Sequence, residues 1–202
     1  MDKDAIMRQA EAQALPVILK YYKEGSELCG LLLTHSRLVA RKALDCLELH
    51  PEHEADPVGV VRAALLHDIG IVRTAAPGIH CTGTEPYIRH GILGRAMLEQ
   101  EGMPVEALVC ERHTGAGISA EEIEMAQMPL PVRDMLPLSL LEKVVCYADK
   151  FYSKSGDPTC EKAPARIRAS LSRFGSASIE RFDALRAHET GAYLVCRLLL
   201  EK

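Results

Sequence analysis

The chain has 202 residues, of which 24 are basic and 28 acidic, and its formal net charge is −4 at pH 7. Hydrophobic residues make up 48% of the chain and charged residues 26%, a balance that excludes an intrinsically disordered protein. The negative charge argues against a partner that is a polymeric nucleic acid, because such proteins usually carry a basic stripe. A local positive site would still bind a small phosphorylated ligand. The length predicts one domain.

The cysteines and the amino terminus indicate the compartment. The 7 cysteines are scattered, and no two stand in Cys-x-x-Cys spacing. This favours reduced core cysteines over a disulfide framework or a zinc ribbon. The chain opens Met1-Asp2-Lys3-Asp4, without the basic and then apolar pattern of a signal peptide, and its apolar runs are too short to cross a bilayer. We therefore expect a cytoplasmic protein that does not associate with membranes.

Apolar residues recur at helical spacing along nearly the whole chain. The pattern predicts helices at residues 4–14, 16–24, 27–49, 57–68, 87–101, 104–113, 120–127, 138–154, 163–174, 177–188 and 191–201. The segment 74–86 is rich in Gly, Pro and Thr and long enough to suggest a functional loop. We predict an all-α, single-domain multi-helix bundle with a motif-bearing core at 27–155. The extensions 1–26 and 156–202 would complete the bundle or form a homodimer contact.

Lone polar side chains interrupt the apolar faces of several predicted helices. Steps of three or four from an apolar residue reach a histidine or an aspartate on each of these faces. The residues are His35, His90, His113 and Asp149. Gly91 and Gly94 lie on or beside the face of His90, where small residues let a neighbouring backbone or a ligand approach closely.

The predicted helix at 57–68 is apolar on nearly all sides and ends in His67-Asp68. A buried carboxylate without a partner is destabilising by several kcal/mol, so Asp68 needs a compensating charge. An ion pair with Arg62 or Arg73 would be an ordinary solution. A bound cation is the alternative, and the negative end of the helix dipole favours it.

Imidazole and carboxylate together suit a divalent metal such as Fe, Mn, Co, Ni or Zn. A single histidine on an apolar face is more often an ordinary core residue, and Asp149 could pair with a lysine. Six such residues on five inward faces favour a metal site instead. The other histidines of polar segments, His50, His53 and His188, are expected at the surface.

The segment Leu66-His67-Asp68-Ile69-Gly70 resembles the signature of the HD-domain metal-dependent phosphohydrolase superfamily in its HDIG form. The other elements of that signature follow in the expected order, in Thr34-His35-Ser36, His90-Gly91, His113-Thr114-Gly115-Ala116-Gly117 and Ala148-Asp149-Lys150. The resemblance covers about residues 27–155 and implies a bundle of the HD-domain type.

The resemblance implies two divalent transition-metal ions, with Asp68 bridging them. It assigns the ligands as two sets, His35, His67, Asp68 and Asp149 for the first ion and His90 and His113 for the second. A metal-activated water would hydrolyse a nucleotide or another small phosphoester, with His67 and Asp68 as catalytic residues. The predicted substrate-binding residues are Arg112, Arg73, Lys150 and His80, with Arg89 and Lys154 as further candidates. The loop at 74–86 would form a lid.

Two departures and two alternatives accompany this hypothesis. Ile71 follows the HDIG motif where many members carry a lysine, and the Gly-Tyr-Pro signature of cyclic-diguanylate phosphodiesterases is absent. A dinuclear-iron oxygenase resembling myo-inositol oxygenase would use the same six ligands, so the ligand set does not separate the two reactions. A metal-binding regulatory module without turnover is the third hypothesis, and the complete ligand set argues against it.

Overall fold

A computed structural model describes residues 1–49 and 55–189, with the side chains of 187–189 left out. The α-helices are α1 Lys3–Tyr21, α2 Glu27–Leu49, α3 Pro57–Leu66, α4 His90–Gln100, α5 Pro104–Arg112, α6 Ala120–Met125, α7 Leu140–Asp149, α8 Pro164–Leu171 and α9 Ser176–Glu189. The strands in the described ranges, β1 Ala75–Ala76 and β2 Cys81–Thr82, pair antiparallel. The predicted all-α fold is confirmed. Among these residues, no helix combines the length and the apolar character needed to cross a bilayer.

Helix α3 is the centre of the bundle. Its N-cap is Asp56, whose carboxylate accepts hydrogen bonds from the backbone N–H groups of Val58 and Gly59. Nearly all its later side chains are fully buried, with α1, α2, α5 and α7 packed around them. The helix ends at Leu66 and a 3-10 turn begins at Ile69. The His-Asp pair therefore lies between two elements in the middle of the molecule.

The structure departs furthest from two of the predicted helix boundaries. A break was expected at Pro16, but α1 continues through it. Proline lacks the N–H that would bond to the carbonyl of Ala12, and both residues are exposed, so that carbonyl can bond to water instead. The helix predicted to reach residue 154 ends at Asp149. The N–H groups of the next residues bond to carbonyls three positions back, so the α-helix gives way to a tighter turn.

The remaining predictions concern the loop, the cysteines and the ends of the described ranges. The segment 74–86 is largely irregular, as expected, and contains the β1–β2 hairpin. The cysteines in the described ranges are free thiols, and Cys160 alone among them is exposed. His50, His53 and the predicted helix at 191–201 lie outside the described residues, as does the side chain of His188.

Glycines allow α4 to lie directly against the 3-10 turn that follows the His-Asp pair. A Cβ atom added to Gly70 would fall 2.1 Å from the carbonyl oxygen of His90 and 2.4 Å from the backbone nitrogen of Gly94. A Cβ added to Gly91 would fall 2.6 Å from the carbonyl oxygen of Cys110. The close approach expected at Gly91 is therefore an approach of backbone, whereas a Cβ added to Gly94 would meet the side chain of Cys110 and the backbone nitrogen of Gly70, each at 3.2 Å.

Gly70→Ala is expected to destabilise the fold by about 2 kcal/mol or more, because backbone cannot move aside as a side chain can. Urea denaturation followed by circular dichroism measures the change. Gly78→Ala is the matched control, since a Cβ there meets nothing within 4 Å. Equal stability of the two variants would contradict the close packing described for Gly70.

Candidate metal centre

Six side chains from five parts of the fold meet beside α3. They are His35 of α2, His67 and Asp68 after α3, His90 at the start of α4, His113 after α5 and Asp149 at the end of α7. All six are buried. They form two groups that could each hold a metal ion, and Asp68 belongs to both. The structure thus brings together every metal ligand implied by the resemblance.

The first group has the spacing of ligands around a single ion. The Nε2 atom of His35 lies 3.0 Å from Oδ1 of Asp149 and 3.3 Å from Oδ2 of Asp68. The Nε2 atom of His67 lies 3.1 Å from Oδ2 of Asp68 and 3.4 Å from Oδ1 of Asp149. With metal–ligand bonds of about 2.1 Å, neighbouring ligand atoms lie roughly 3.0 to 3.4 Å apart. The four side chains therefore fit one divalent ion.

The second group uses the other oxygen of the shared carboxylate. Oδ1 of Asp68 lies 3.6 Å from Nε2 of His90 and 3.4 Å from Nε2 of His113. The two imidazole nitrogens are 3.1 Å apart. Because Oδ2 faces the first group and Oδ1 the second, Asp68 has the position of a bridging ligand.

Backbone carbonyls orient three of the four histidines. The Nδ1 atoms of His67, His90 and His113 lie 2.7 to 2.8 Å from the carbonyl oxygen of the residue three positions earlier. A carbonyl oxygen only accepts hydrogen bonds, so each Nδ1 carries the proton. In the neutral ring Nε2 then presents its lone pair to the centre, as a metal-binding histidine requires.

Two features of the cluster call for a cation. The lone pairs of His90 and His113 face each other, which is repulsive unless a proton or a metal lies between them. Burial, together with repulsion from His113, lowers the pKa of His90 to about 3, so this ring is neutral near pH 7. Both oxygens of Asp68 are buried without a well-formed hydrogen bond. A divalent cation would satisfy all three residues.

Asp68, Asp149 and His67 are charged at neutral pH. Burial alone would raise the pKa of Asp68, but the charges of Lys154 and His67 outweigh it and hold the pKa well below its usual range. Burial would also raise the pKa of Asp149, but the charges of Lys150 and Lys154 outweigh it and lower that pKa. The two carboxylates in turn outweigh burial at His67 and raise its pKa to about 9.

A lysine provides the compensating charge for Asp68. Nζ of Lys154 lies 2.5 Å from Oδ2 of Asp68, and the lysine side chain is only 13% exposed. Its ammonium stands in for part of the positive charge that a metal would provide. Arg62 is not the partner, because it pairs with Glu106 at 2.5 Å. Lys154, expected above only as a further candidate for substrate binding, lies in the irregular segment after α7 and reaches Asp68.

An open cavity of about 490 Å³ adjoins the cluster. Asp149 reaches its wall, and the loop at 74–86 contributes Ala76, Gly78 and Ile79. Three lysines also line it, namely Lys150, Lys154 and Lys162. Nothing in the sequence pattern distinguished Lys162, which lies in an irregular segment before α8.

The predicted substrate-binding residues have different positions. Lys150 lines the cavity, and its Nζ lies 2.7 Å from Oδ2 of Asp149. The other three are not among the lining residues, and Arg73 is exposed. Arg112 pairs with Glu142 at 2.9 Å, and His80 is exposed with Nδ1 3.2 Å from a carboxylate oxygen of Glu27. A substrate-binding role for these three stays a prediction.

The HD domain family matches residues 32–153, more than half of the chain and a span that contains all six clustered side chains. The chain belongs to the HD domain family. Its membership and the buried histidine and aspartate cluster support a metal-dependent HD hydrolase in general.

Three relatives show how far the similarity extends. An uncharacterized protein of Methanocaldococcus jannaschii is 40% identical over 98 residues, 48% of this chain and 50% of that protein. Proteins named tRNA (cytidine(56)-2'-O)-methyltransferase are 33% identical over 124 residues in Picrophilus torridus and 31% identical over 133 residues in Thermoplasma volcanium. These spans are 61% and 65% of this chain and 32% and 34% of the relatives. The chain thus spans a third to a half of the relatives' length. No solved structure matches it.

Metal binding is expected to release a proton at pH 7. His67, with a pKa of about 9, is protonated there in the metal-free protein, and a histidine must be neutral to bind a metal. The affinity for the metal should therefore fall by about tenfold for each unit by which the pH is lowered below 9. Calorimetric titration with Mn²⁺ at pH 7, in two buffers of different ionisation enthalpy, measures the release. Identical heats in the two buffers would contradict it.

Proposed function

We propose that the protein is a metal-dependent phosphohydrolase, which cleaves a nucleotide or another small phosphoester with a metal-activated water. The observation that carries the proposal is the charge of the cavity beside the cluster. Three lysines line it, whereas Asp149 is the one carboxylate among its described lining residues. A cavity of this charge favours an anion such as a phosphoester over an uncharged polyol.

Lys162 is the strongest indication of an anionic ligand. It is half-buried, and its Nζ donates a hydrogen bond to the carbonyl oxygen of Tyr152 at 3.0 Å, with no acidic partner in the described ranges. Burial, together with the charges of Lys150 and Lys154, lowers the pKa of Lys162 despite the nearby Asp149. A phosphate would relieve the repulsion among these ammonium groups.

The two metal ions would be held by the six clustered side chains described above. Divalent ions bound there would supply a water of lowered pKa and positive charge against the phosphoryl oxygens. In the net reaction the water oxygen bonds to phosphorus, the ester P–O bond breaks and the leaving oxygen takes up a proton.

The protein's own residues then hold the substrate. Lys150 is fixed in place, since its Nζ contacts Asp149 and donates to the carbonyl oxygen of His113 at 3.1 Å. Its ammonium is therefore held between two elements of the cluster and can bind a phosphoryl oxygen without reorganising. Ser153 and Ser155 line the same cavity and add hydroxyl donors.

The names of the relatives do not alter the proposal. Two are named as tRNA methyltransferases, but the shared span is about a third of their length. We therefore propose no methyl transfer for this chain. The iron oxygenase and the regulatory module are separated from the hydrolase by the following experiment.

Asp68→Ala is expected to abolish metal binding and hydrolysis together, because the carboxylate faces both ligand groups. The protein is stripped of metal and refilled with Mn, Co, Ni or Fe(II) under argon. Phosphate release is then measured on nucleotides and small phosphomonoesters, and nitrophenol release on bis(4-nitrophenyl) phosphate. We expect turnover to depend on added metal and to fall at least about a thousandfold in the variant.

Asp45→Ala is the control, since this carboxylate lies at the surface beside Lys3. Full activity of Asp68→Ala would exclude the proposed site. Oxygen consumption with a polyol or a phosphonate, without hydrolysis under argon, would assign the protein to the oxygenases. Metal binding without turnover in either assay would favour the regulatory module.

Lys162→Met is expected to raise KM for the best phosphoester by about tenfold or more while kcat changes little, because a charged hydrogen bond to the substrate is lost. Steady-state kinetics of the metal-loaded enzyme measure both constants. Lys23→Met is the control, because it removes the same charge at an exposed position. Unchanged KM in Lys162→Met would remove this lysine from the binding site.

A further inference from the structure

The second ligand group of the cluster has one donor fewer than the first. Four side chains surround the first position, whereas Asp68, His90 and His113 surround the second among the described residues. These donors are imidazoles and a carboxylate. A hydroxyl oxygen can also bind a divalent ion, as the serine or threonine of a P-loop binds magnesium. Thr114 follows His113 directly, so its hydroxyl is a candidate for a fourth donor.

The hydroxyl oxygen of Thr114 has the spacing of a ligand atom. It lies 3.4 Å from Nε2 of His90. The other donor pairs measured in the second group are 3.1 to 3.6 Å apart. A well-formed hydrogen bond of a hydroxyl is shorter, roughly 2.5 to 3.0 Å. A separation of 3.4 Å is instead typical of two donors that share one ion through bonds of about 2.1 Å.

The chemistry of the hydroxyl suits either state of the neighbouring histidine. Nδ1 of His90 donates its proton to the carbonyl oxygen of Tyr87, so Nε2 presents a lone pair. Without a metal, the proton of Thr114 can point toward that lone pair. When the lone pair binds a metal, the hydroxyl can turn its proton to water, because Thr114 is only half-buried, and present an oxygen lone pair to the ion.

A glycine makes room for this hydroxyl. Gly91 follows His90 in α4, and a Cβ atom added to it would fall 3.3 Å from Oγ1 of Thr114. That contact is tight, so a larger residue at position 91 would press on the hydroxyl. The dipeptides His90-Gly91 and His113-Thr114 therefore meet at the second ligand group, each with a histidine that points into it.

The turn that carries Thr114 is fixed on both sides. Before it, the carbonyl oxygen of His113 accepts a hydrogen bond from Nζ of Lys150 at 3.1 Å. After it, the N–H group of Gly117 donates to the carbonyl oxygen of Thr114 at 3.0 Å. The guanidinium of Arg181 in α9 donates to the carbonyl oxygen of Gly117 at 3.1 Å. A hydroxyl on backbone held in this way needs little reordering to bind an ion.

We propose that Thr114 is a metal ligand, whose hydroxyl oxygen binds the second ion together with Asp68, His90 and His113. The assignment rests on the two-ion centre of the proposed function, but not on the reaction that this centre catalyses. It gives each ion four protein donors, with Asp68 shared between them. Because the hydroxyl is neutral, it adds a donor without reducing the positive charge that would attract an anionic substrate.

The test is a titration of the metal-free protein with Co²⁺, followed by calorimetry and by the visible absorption of the bound ion, which depends on its donors. We expect the wild type to bind two ions. Thr114→Val and Thr114→Ala both remove the oxygen, so each should weaken the second ion by about tenfold or more, alter its absorption and leave the first ion unchanged. Thr114→Ser keeps the oxygen and should behave as the wild type. Thr82→Val is the control, because Thr82 is exposed in β2.

Three results would overturn the assignment, provided that circular dichroism shows each variant to be folded. The first is a second ion that binds both oxygen-free variants with the affinity and absorption of the wild type. The second is an equal loss of affinity in Thr114→Ser and Thr114→Ala, which would assign the effect to the methyl group of the threonine. The third is a wild type that binds a single ion, since no second ion would then need a donor.

The same titration separates this assignment from the proposed function. If Thr114→Ala weakens the second ion but the wild type hydrolyses no phosphoester, the proposed function fails and the ligand assignment stands. If the wild type hydrolyses phosphoesters and both oxygen-free variants bind two ions normally, the phosphohydrolase stands and the assignment fails.

Discussion

An ionised carboxylate in the middle of an apolar core is the constraint on which the site depends. Helix α3 is buried along nearly all of its length, and Asp68, which lies just beyond its last residue Leu66 and His67, has no access to water. A charge in that position is stable only with counter-charges and hydrogen-bond donors arranged around it. The neighbouring helices present histidines there instead of leucines, and Lys154 adds an ammonium. The same arrangement that neutralises the carboxylate brings together the side chains that could hold a metal ion.

The inward direction of several clustered side chains could be predicted from helical periodicity, whereas their role as metal ligands was implied by the family resemblance. His35 and Asp149 occupy positions on apolar stripes, and a residue on such a stripe faces the core regardless of its neighbours. Arg112 shows the limit of this reasoning. It adjoins His113 in sequence, but a long side chain selects its partner from the tertiary structure, and here the partner is Glu142. Sequence proximity to a ligand did not predict proximity to the cavity.

Of the lysines that line the cavity, Lys150 was a predicted substrate-binding residue and Lys154 a further candidate, but the contact of Lys154 with Asp68 and the position of Lys162 could not be predicted. Lys154 and Lys162 lie in irregular segments, where no periodicity indicates direction. A tight turn follows α7, with hydrogen bonds to carbonyls three residues back, and the backbone N–H of Lys162 bonds to the carbonyl oxygen of Phe151 beside that turn. A local detail also explains why α1 continues through Pro16. The carbonyl of Ala12, which lacks a backbone N–H partner there, is exposed and can bond to water. In both cases the sequence predicted the fold class but did not predict the course of the backbone over a few residues.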